Sequence, residues 1–163
     1  IQEKFKKIKN LNVGIVGDIL HSRVALSNIY GLVKMGAKVK VCGPPHLIQK
    51  NIEELGVSVT YDINEMLEWC DVINVLRIQK ERMGVGIIPS IREYRNFFGV
   101  TYARLKKIKK EIVVMHPGPM NRGVEIDSQV ADSDQAIILN QVLNGVAVRM
   151  SILYLLLGNN ELS

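Results

Sequence analysis

Two arginines in this sequence are placed where they could bind a small anion. Arg23 follows a short apolar run that ends at Gly17, and Arg77 comes directly after another such run. A guanidinium group can hold a carboxylate through two parallel hydrogen bonds. Gln79 is two positions beyond Arg77, so an extended chain would place both side chains on one face, where the amide could contact the same ligand. The alternatives are that Arg23 pairs with Asp18 at the surface and that Arg77 merely ends a strand.

A proline-flanked glycine forms a third candidate segment, Pro117-Gly118-Pro119. Two prolines restrict the backbone and remove N–H donors, so the carbonyl groups remain free to accept hydrogen bonds from a ligand. His116 precedes this segment and could serve as a general base, although a structural histidine bonded to the backbone is the favoured interpretation. The alternative for the whole segment is a rigid turn that binds no ligand.

The elements that would position these segments alternate between strands and helices. Short β-branched runs predict strands, and stretches with helical spacing, several of them closed by glycine, predict helices. The alternation predicts an α/β fold, a three-layer doubly wound (Rossmann-like) parallel sheet of about five strands with helices on both faces. Ligands bind beyond the carboxyl ends of the strands in such folds, where the three segments stand. The predicted strands are 11–16, 38–42, 57–60, 71–76 and 111–115, and the main predicted helices are 22–35, 46–55, 62–70, 101–109, 128–131 and 135–157.

The composition is that of one soluble globular domain. The 163 residues are 47% hydrophobic and 23% charged, which is ordinary for a folded domain. Much of the positive charge comes from lysines grouped at 4–9 and 106–110, which solvated helix faces explain better than nucleic-acid binding does. No apolar run reaches the roughly 18–20 residues of a membrane span. We therefore expect neither nucleic acid nor a membrane as a partner.

Metal and cofactor chemistry has no recognisable motif in this sequence. The histidines His21, His46 and His116 lack metal-ligand spacing, and the first strand-to-helix turn lacks the Gly-x-Gly-x-x-Gly pattern of dinucleotide sites. We therefore expect no metal and no cofactor, and we assign no catalytic residue. Cys42 and Cys70 are expected to be buried thiols in a reducing cytosol rather than a disulfide.

Four segments, taken together, resemble the aspartate carbamoyltransferases in their second, aspartate-binding domain. Each match would be weak alone, but their order and spacing span nearly the whole chain. The matching segments are 17–25 (GDILHSRVA), 76–82 (LRIQKER), 116–126 (HPGPMNRGVEI) and 141–150 (QVLNGVAVRM).

The resemblance implies a role for each candidate residue. The family joins carbamoyl phosphate to L-aspartate in pyrimidine synthesis, forming N-carbamoyl-L-aspartate and phosphate. Arg23 and Arg77 would hold the aspartate carboxylates with support from Gln79, and the backbone of Pro117-Gly118-Pro119 would face carbamoyl phosphate. The segment 80–102 corresponds to a mobile loop that closes over the substrates and excludes water.

The resemblance also implies that this chain is half of an enzyme. The family's Ser-Thr-Arg-Thr-Arg phosphate site, carried by a separate carbamoyl-phosphate domain, does not occur in the sequence. Residues 1–10 would be the end of an interdomain helix or linker, and residues 11–163 the aspartate-binding domain. Because catalysis in the family depends on positioning and oxyanion stabilisation, we expect no transferase activity from this chain alone.

The family forms catalytic trimers, sometimes joined to regulatory or dihydroorotase chains. The full protein is therefore expected to be a cytoplasmic homotrimer that includes the missing N-terminal domain. Two other functions stay open: an ornithine carbamoyltransferase-like domain, and a non-catalytic binding or assembly module. The ornithine enzymes usually carry His-Cys-Leu-Pro where this chain has His-Pro-Gly-Pro at 116–119. Two arginines also suit a diacid better than a cationic amino acid.

Overall fold

A sheet of five parallel strands forms the centre of the computed structural model. The structure describes residues 1–78 and 90–157. The strands are short and largely apolar, as is usual when both faces of a parallel sheet are covered. They are β1 (Asn12–Val16), β2 (Lys38–Cys42), β3 (Val57–Thr60), β4 (Val72–Val75) and β5 (Val113–Met115).

The strand order is β3-β2-β1-β4-β5, so the chain extends the sheet from β1 in one direction and then crosses back to extend it in the other. Neighbouring residues in a strand face opposite sides of the sheet. Ile15 and Val41 belong to one buried cluster, whereas Val16 and Cys42 belong to another. These two cores on opposite faces confirm the predicted three-layer, doubly wound fold.

Helices pack on both faces of this sheet. Ile29 lies in the same buried cluster as Ile15, and Met66 lies in the cluster of Val16, so the two helices that carry them cover opposite faces. The helices are α1 (Gln2–Phe5), α2 (Arg23–Lys34), α3 (Ile63–Trp69), α4 (Ile91–Phe98), α5 (Tyr102–Leu105), α6 (Ser128–Ala131) and α7 (Ile138–Leu157), and two short 3-10 helices span Pro45–Leu47 and Ile52–Leu55.

Two predicted helices differ from the observed structure. The predicted helix at 46–55 is wrong, because only the two 3-10 helices occur in this region. Ile48 is extended with φ of −111° and Asn51 is left-handed with φ of 61°, so helical hydrogen bonding cannot continue through the segment. The predicted helix at 101–109 is limited to α5, after which Lys107 and Ile108 form only tight turns with carbonyls three residues earlier.

Helix α7 lies mostly outside the core. It begins just after Gln135 and Ile137 form hydrogen bonds with Val114 of β5, and Ile138 is its one buried residue. Within the described ranges it is the one helix long and apolar enough to cross a membrane, and 6% of that stretch is buried. From the sequence we expect no membrane-spanning run here, because polar residues interrupt the apolar ones. These polar residues are Asn140, Gln141, Asn144, Arg149 and Ser151. Its exposed large apolar side chains, which we call the α7 apolar face, are Leu139, Val142, Leu143, Val146, Val148, Met150, Ile152, Leu153, Tyr154, Leu155, Leu156 and Leu157.

The ends of β1 and β4 approach each other closely where the sheet changes its direction of growth. Gly17 follows β1 with φ of 133°, and a Cβ atom there would lie 2.9 Å from Cβ of Leu76. Leu76 donates its N–H to the carbonyl oxygen of Val16 at 2.8 Å. Glycine satisfies both this backbone conformation and this contact. The point where the strand order reverses is also where doubly wound sheets bind ligands.

We expect both cysteines to be unreactive in the folded protein. Cys42 and Cys70 are free and buried, as predicted. Burial raises the pKa of each thiol to about 12, so almost no thiolate is present near neutral pH. Maleimide labelling followed by mass spectrometry should modify neither cysteine until denaturant is added. Rapid labelling of either residue without denaturant would contradict this expectation.

Candidate functional site

A cleft at the carboxyl edge of the sheet contains most of the candidate residues. Its volume is about 330 Å³, and its walls come from the loops that follow β1, β4 and β5. Arg23, Arg77 and the segment Pro117-Gly118-Pro119 line it, together with Asp18 and His21. The structure thus brings the three strand-end segments to one place. The binding roles of their residues remain predictions.

The predicted mobile loop is described only in part. Gln79, the third predicted aspartate-binding residue, lies outside the described residues, as do 80–89 of the loop. The later part contains α4, which spans Ile91–Phe98. Ser90 caps this helix by accepting the N–H of Glu93 at 3.0 Å.

Arg23 is the first residue of α2, and its side chain is exposed. Ser22 begins the helix by accepting the N–H of Ala25 at 3.1 Å. The alternative that Arg23 pairs with Asp18 does not hold, because Asp18 contacts His21 instead. The Asp18 Oδ1 atom lies 2.9 Å from His21 Nδ1 and also accepts the His21 backbone N–H at 3.1 Å. Arg23 has no ion pair within the part of the chain that the structure describes, so it can bind an external anion.

Arg77 lies in the loop after β4, where it is partly buried and lines the cleft. The main chain is fixed on both sides of it, by the Leu76 hydrogen bond to β1 and by Asn121, whose Nδ2 donates to the Ile78 carbonyl at 2.8 Å. The two arginines therefore reach one cleft from adjacent strands. Such a pair suits a ligand with two carboxylates.

The segment Pro117-Gly118-Pro119 presents carbonyl groups and no spare N–H donor. Its prolines have no N–H, and the Gly118 N–H donates to Nδ1 of His116 at 2.8 Å. Gly118 has φ of 67°, a left-handed conformation that favours glycine, and the Gly118–Pro119 peptide is cis. This geometry agrees with the prediction that the segment offers hydrogen-bond acceptors to a ligand.

A buried glutamate completes the support of this loop. Because His116 Nδ1 accepts from Gly118, the ring proton is on Nε2, which lies 3.3 Å from Oε1 of Glu125. The same Oε1 accepts the N–H of Asn121 at 2.5 Å. Both His116 and Glu125 are completely buried. His116 is thus a structural histidine with a neutral ring, as the sequence analysis favours, and its ring nitrogens are occupied by the protein.

Sequence reasoning does not identify Glu125 or Asn121 as residues that shape the site. The one available signal is a charged residue between the apolar Val124 and Ile126. That pattern fits an alternating edge strand equally well. Pairing Glu125 with His116 requires the loop conformation, which three-dimensional packing decides.

Comparison with known proteins gives one family throughout. The sequence model of the family described as aspartate/ornithine carbamoyltransferase, Asp/Orn binding domain, matches residues 9–156. An aspartate carbamoyltransferase catalytic subunit of Carboxydothermus hydrogenoformans is 57% identical over 162 residues, which is 99% of this chain and 52% of that protein. The corresponding protein of Halothermothrix orenii is 60% identical over 158 residues, 97% of this chain and 50% of that protein. The chain therefore spans about half the length of these relatives.

Solved structures agree with this result. The catalytic subunit of M. jannaschii aspartate transcarbamoylase matches with a TM-score of 0.77 and 29% identity, covering 100% of this chain and 54% of that one. The ornithine carbamoyltransferase from Pyrococcus furiosus matches with a TM-score of 0.74 and 26% identity, covering 94% and 52%.

The substitution Glu125→Ala tests the support of the loop. It would leave the His116 Nε2–H and the Asn121 N–H buried without an acceptor, so the free energy of unfolding should fall by about 3 kcal/mol. Denaturant unfolding measures this change. The matched control is Glu54→Ala, because Glu54 is exposed and its loss should change stability by less than about 0.5 kcal/mol. Equal effects of the two substitutions would show that the buried pair does not stabilise the fold.

Proposed function

Because this chain belongs to the aspartate/ornithine carbamoyltransferase family, we propose that it is the aspartate-binding half of a transferase. The enzyme would form N-carbamoyl-L-aspartate and phosphate from carbamoyl phosphate and L-aspartate, a step of de novo pyrimidine biosynthesis. The observation that carries the proposal is the cleft in which Arg23 and Arg77 share a surface with the carbonyl-rich segment Pro117-Gly118-Pro119.

The two arginines favour aspartate over ornithine as the second substrate. Aspartate carries two carboxylates, and each can accept a pair of hydrogen bonds from one guanidinium. The side-chain ammonium of ornithine would instead meet a second cation, which costs free energy in a partly buried cleft. The names of the relatives from C. hydrogenoformans and H. orenii support this choice.

In the proposed reaction this chain positions the nucleophile. Arg23 and Arg77 bind the aspartate carboxylates, which fixes the amino group relative to the segment Pro117-Gly118-Pro119. The amine nitrogen then attacks the carbonyl carbon of carbamoyl phosphate, the C–O bond to phosphate breaks, and phosphate leaves as the amine loses a proton. Positioning of this kind lowers the barrier without a covalent intermediate. Groups that stabilise the developing oxyanion would come from the half that this chain does not contain.

Further parts of the proposal come from the resemblance of the sequence. Gln79 would support aspartate binding, and residues 80–102 would close over the substrates. The complete enzyme would act in the cytoplasm as a homotrimer, with regulatory or dihydroorotase chains as further partners in some members. The buried free thiols Cys42 and Cys70 agree with a reducing compartment.

Binding of a diacid should depend on both arginines. Succinate, which mimics the two carboxylates of aspartate, should raise the thermal unfolding midpoint of this chain, whereas ornithine should not. Arg23→Gln and Arg77→Gln should each weaken succinate binding about tenfold or more, because each removes a charge-assisted pair of hydrogen bonds. Calorimetric titration measures the affinities.

The control for these variants is Arg92→Gln on α4, because Arg92 is exposed and does not line the cleft. It should leave succinate binding unchanged. Stabilisation by ornithine instead of succinate would favour the ornithine enzyme. Because an open cleft binds weakly, the titration extends to ligand concentrations on the order of 0.1 M; stabilisation by neither ligand at that concentration would favour a non-catalytic module.

The chain alone should have no measurable transferase activity. It lacks the phosphate site of the family, and the remaining positioning groups cannot supply oxyanion stabilisation. The assay is formation of N-carbamoyl-L-aspartate from saturating carbamoyl phosphate and aspartate. Turnover by the purified 163-residue chain, abolished by Arg77→Gln, would show that the chain contains a complete active site.

A further inference from the structure

One residue of the cleft, His21, has no part in the binding of two carboxylates by Arg23 and Arg77. It stands in the turn between β1 and α2 and lines the same cleft as the two arginines. Its side chain keeps 35% of its surface exposed. A ligand held by the arginines can therefore contact the imidazole ring.

Asp18 fixes both the orientation and the tautomer of this ring. Its Oδ1 and Oδ2 atoms lie 2.9 and 3.1 Å from His21 Nδ1, and Oδ1 also accepts the His21 backbone N–H at 3.1 Å. Asp18 itself is only 8% exposed. A carboxylate can only accept hydrogen bonds, so Nδ1 carries the proton of a ring that has one. The Nε2 atom then has a lone pair and is a hydrogen-bond acceptor.

The Nε2 atom is an acceptor that the fold does not use. Among residues 1–78 and 90–157, the hydrogen bonds of the His21 ring are those to Asp18, and they involve Nδ1. The other acceptors in the cleft have roles already. The Asp18 carboxylate is bonded to His21, and the resemblance to the carbamoyltransferases assigns the carbonyl groups of Pro117-Gly118-Pro119 to carbamoyl phosphate.

The charges of the cleft indicate which ligand group this acceptor suits. Arg23 and Arg77 match the two carboxylates of a diacid, but they repel the ammonium group that an amino acid adds. An acceptor nitrogen with a carboxylate behind it provides that ammonium with a hydrogen bond and a favourable field together.

We propose that His21 binds the amino group of the diacid substrate through Nε2, and that Asp18 positions the ring for this contact. His21 is then the residue that distinguishes aspartate from a diacid that lacks an amino group. The inference rests on the proposed function and adds a specificity-determining residue to it.

Two substitutions separate the two edges of the ring. His21→Asn retains a donor for Asp18 near the position of Nδ1 and removes Nε2, whereas His21→Gln places an amide oxygen near the position of Nε2. L-Aspartate and succinate differ only in the amino group, so the ratio of their affinities isolates its contribution. NMR titration in mildly alkaline buffer, where histidine rings carry one proton, measures both affinities and shows from the free spectrum that each variant is folded.

The aspartate-to-succinate affinity ratio should fall about tenfold in His21→Asn, because a hydrogen bond to a charged group is lost. It should fall by about threefold or less in His21→Gln, which restores an acceptor. Succinate affinity should stay within about twofold in both variants. The matched control is His46→Asn, because His46 is exposed and does not line the cleft, and it should change neither affinity.

Kinetics in a full-length protein give a second measurement. In a chimera, this chain replaces the matching part of the C. hydrogenoformans relative, which is 57% identical to it over 162 residues. His21→Asn should raise the KM for aspartate about tenfold and leave the inhibition constant of succinate unchanged. An equal rise in both constants would contradict a contact with the amino group.

Two further results would overturn the inference. An unchanged affinity ratio in His21→Asn would show that another acceptor, such as a carbonyl of Pro117-Gly118-Pro119, holds the amino group. Loss of both ligands in His21→Gln, with neither lost in His21→Asn, would show that the ring only supports the turn through Asp18. In either case succinate would still bind the unsubstituted chain, and the proposed function would stand. Failure of the unsubstituted chain to bind either ligand would contradict the proposed function and this inference with it.

Discussion

The contact between Gly17 and Leu76 is the constraint on which the candidate site depends. Parallel strands deliver their following loops to one edge, but the loops after β1 and β4 can share a cleft only if the strand ends come close together. A Cβ atom at position 17 would lie 2.9 Å from Leu76 Cβ, so any other residue would push the two loops apart. Arg23 begins α2 at the end of the loop after β1, and Arg77 lies in the loop after β4, so packing of the two strand ends brings the main chain of both arginines to one cleft.

The loop after β5, which forms the third wall of the cleft, is held in place by hydrogen bonds rather than by a close backbone contact. Pro117 and Pro119 have no backbone N–H, so the loop that contains them can form few backbone hydrogen bonds to fix its conformation. His116 provides the support by accepting the Gly118 N–H, and Glu125 orients the imidazole ring through its other nitrogen. A neutral ring between two fixed partners keeps the loop in one conformation, and every N–H of the segment is used inside the protein. Its carbonyl groups are left for the ligand.

The sequence predicts those features that local pattern determines, and it misses those that depend on contacts between distant residues. Strand positions, the parallel sheet and the meeting of the three strand-end segments all follow from periodicity and from the topology of doubly wound folds. The helix predicted at 46–55 fails because extended Ile48 and left-handed Asn51 break it. Asparagine favours the left-handed region, which is a weak local signal, but the extended conformation of Ile48 has none. The sequence also does not predict that Glu125 supports the loop, because this role depends on a contact with His116 in the folded chain. Its partner is nine positions away, across a loop whose shape the pair itself maintains.

The exposure of Arg23 limits what the cleft can do while it is open to water. An arginine in open water binds a carboxylate weakly, because water screens the charges and competes for the hydrogen bonds. The cleft can bind tightly and react only when surrounding surface excludes that water. The groove beside Val24 and Pro117 joins the cleft to the α7 apolar face. A surface that covers the groove can therefore also exclude water from the cleft.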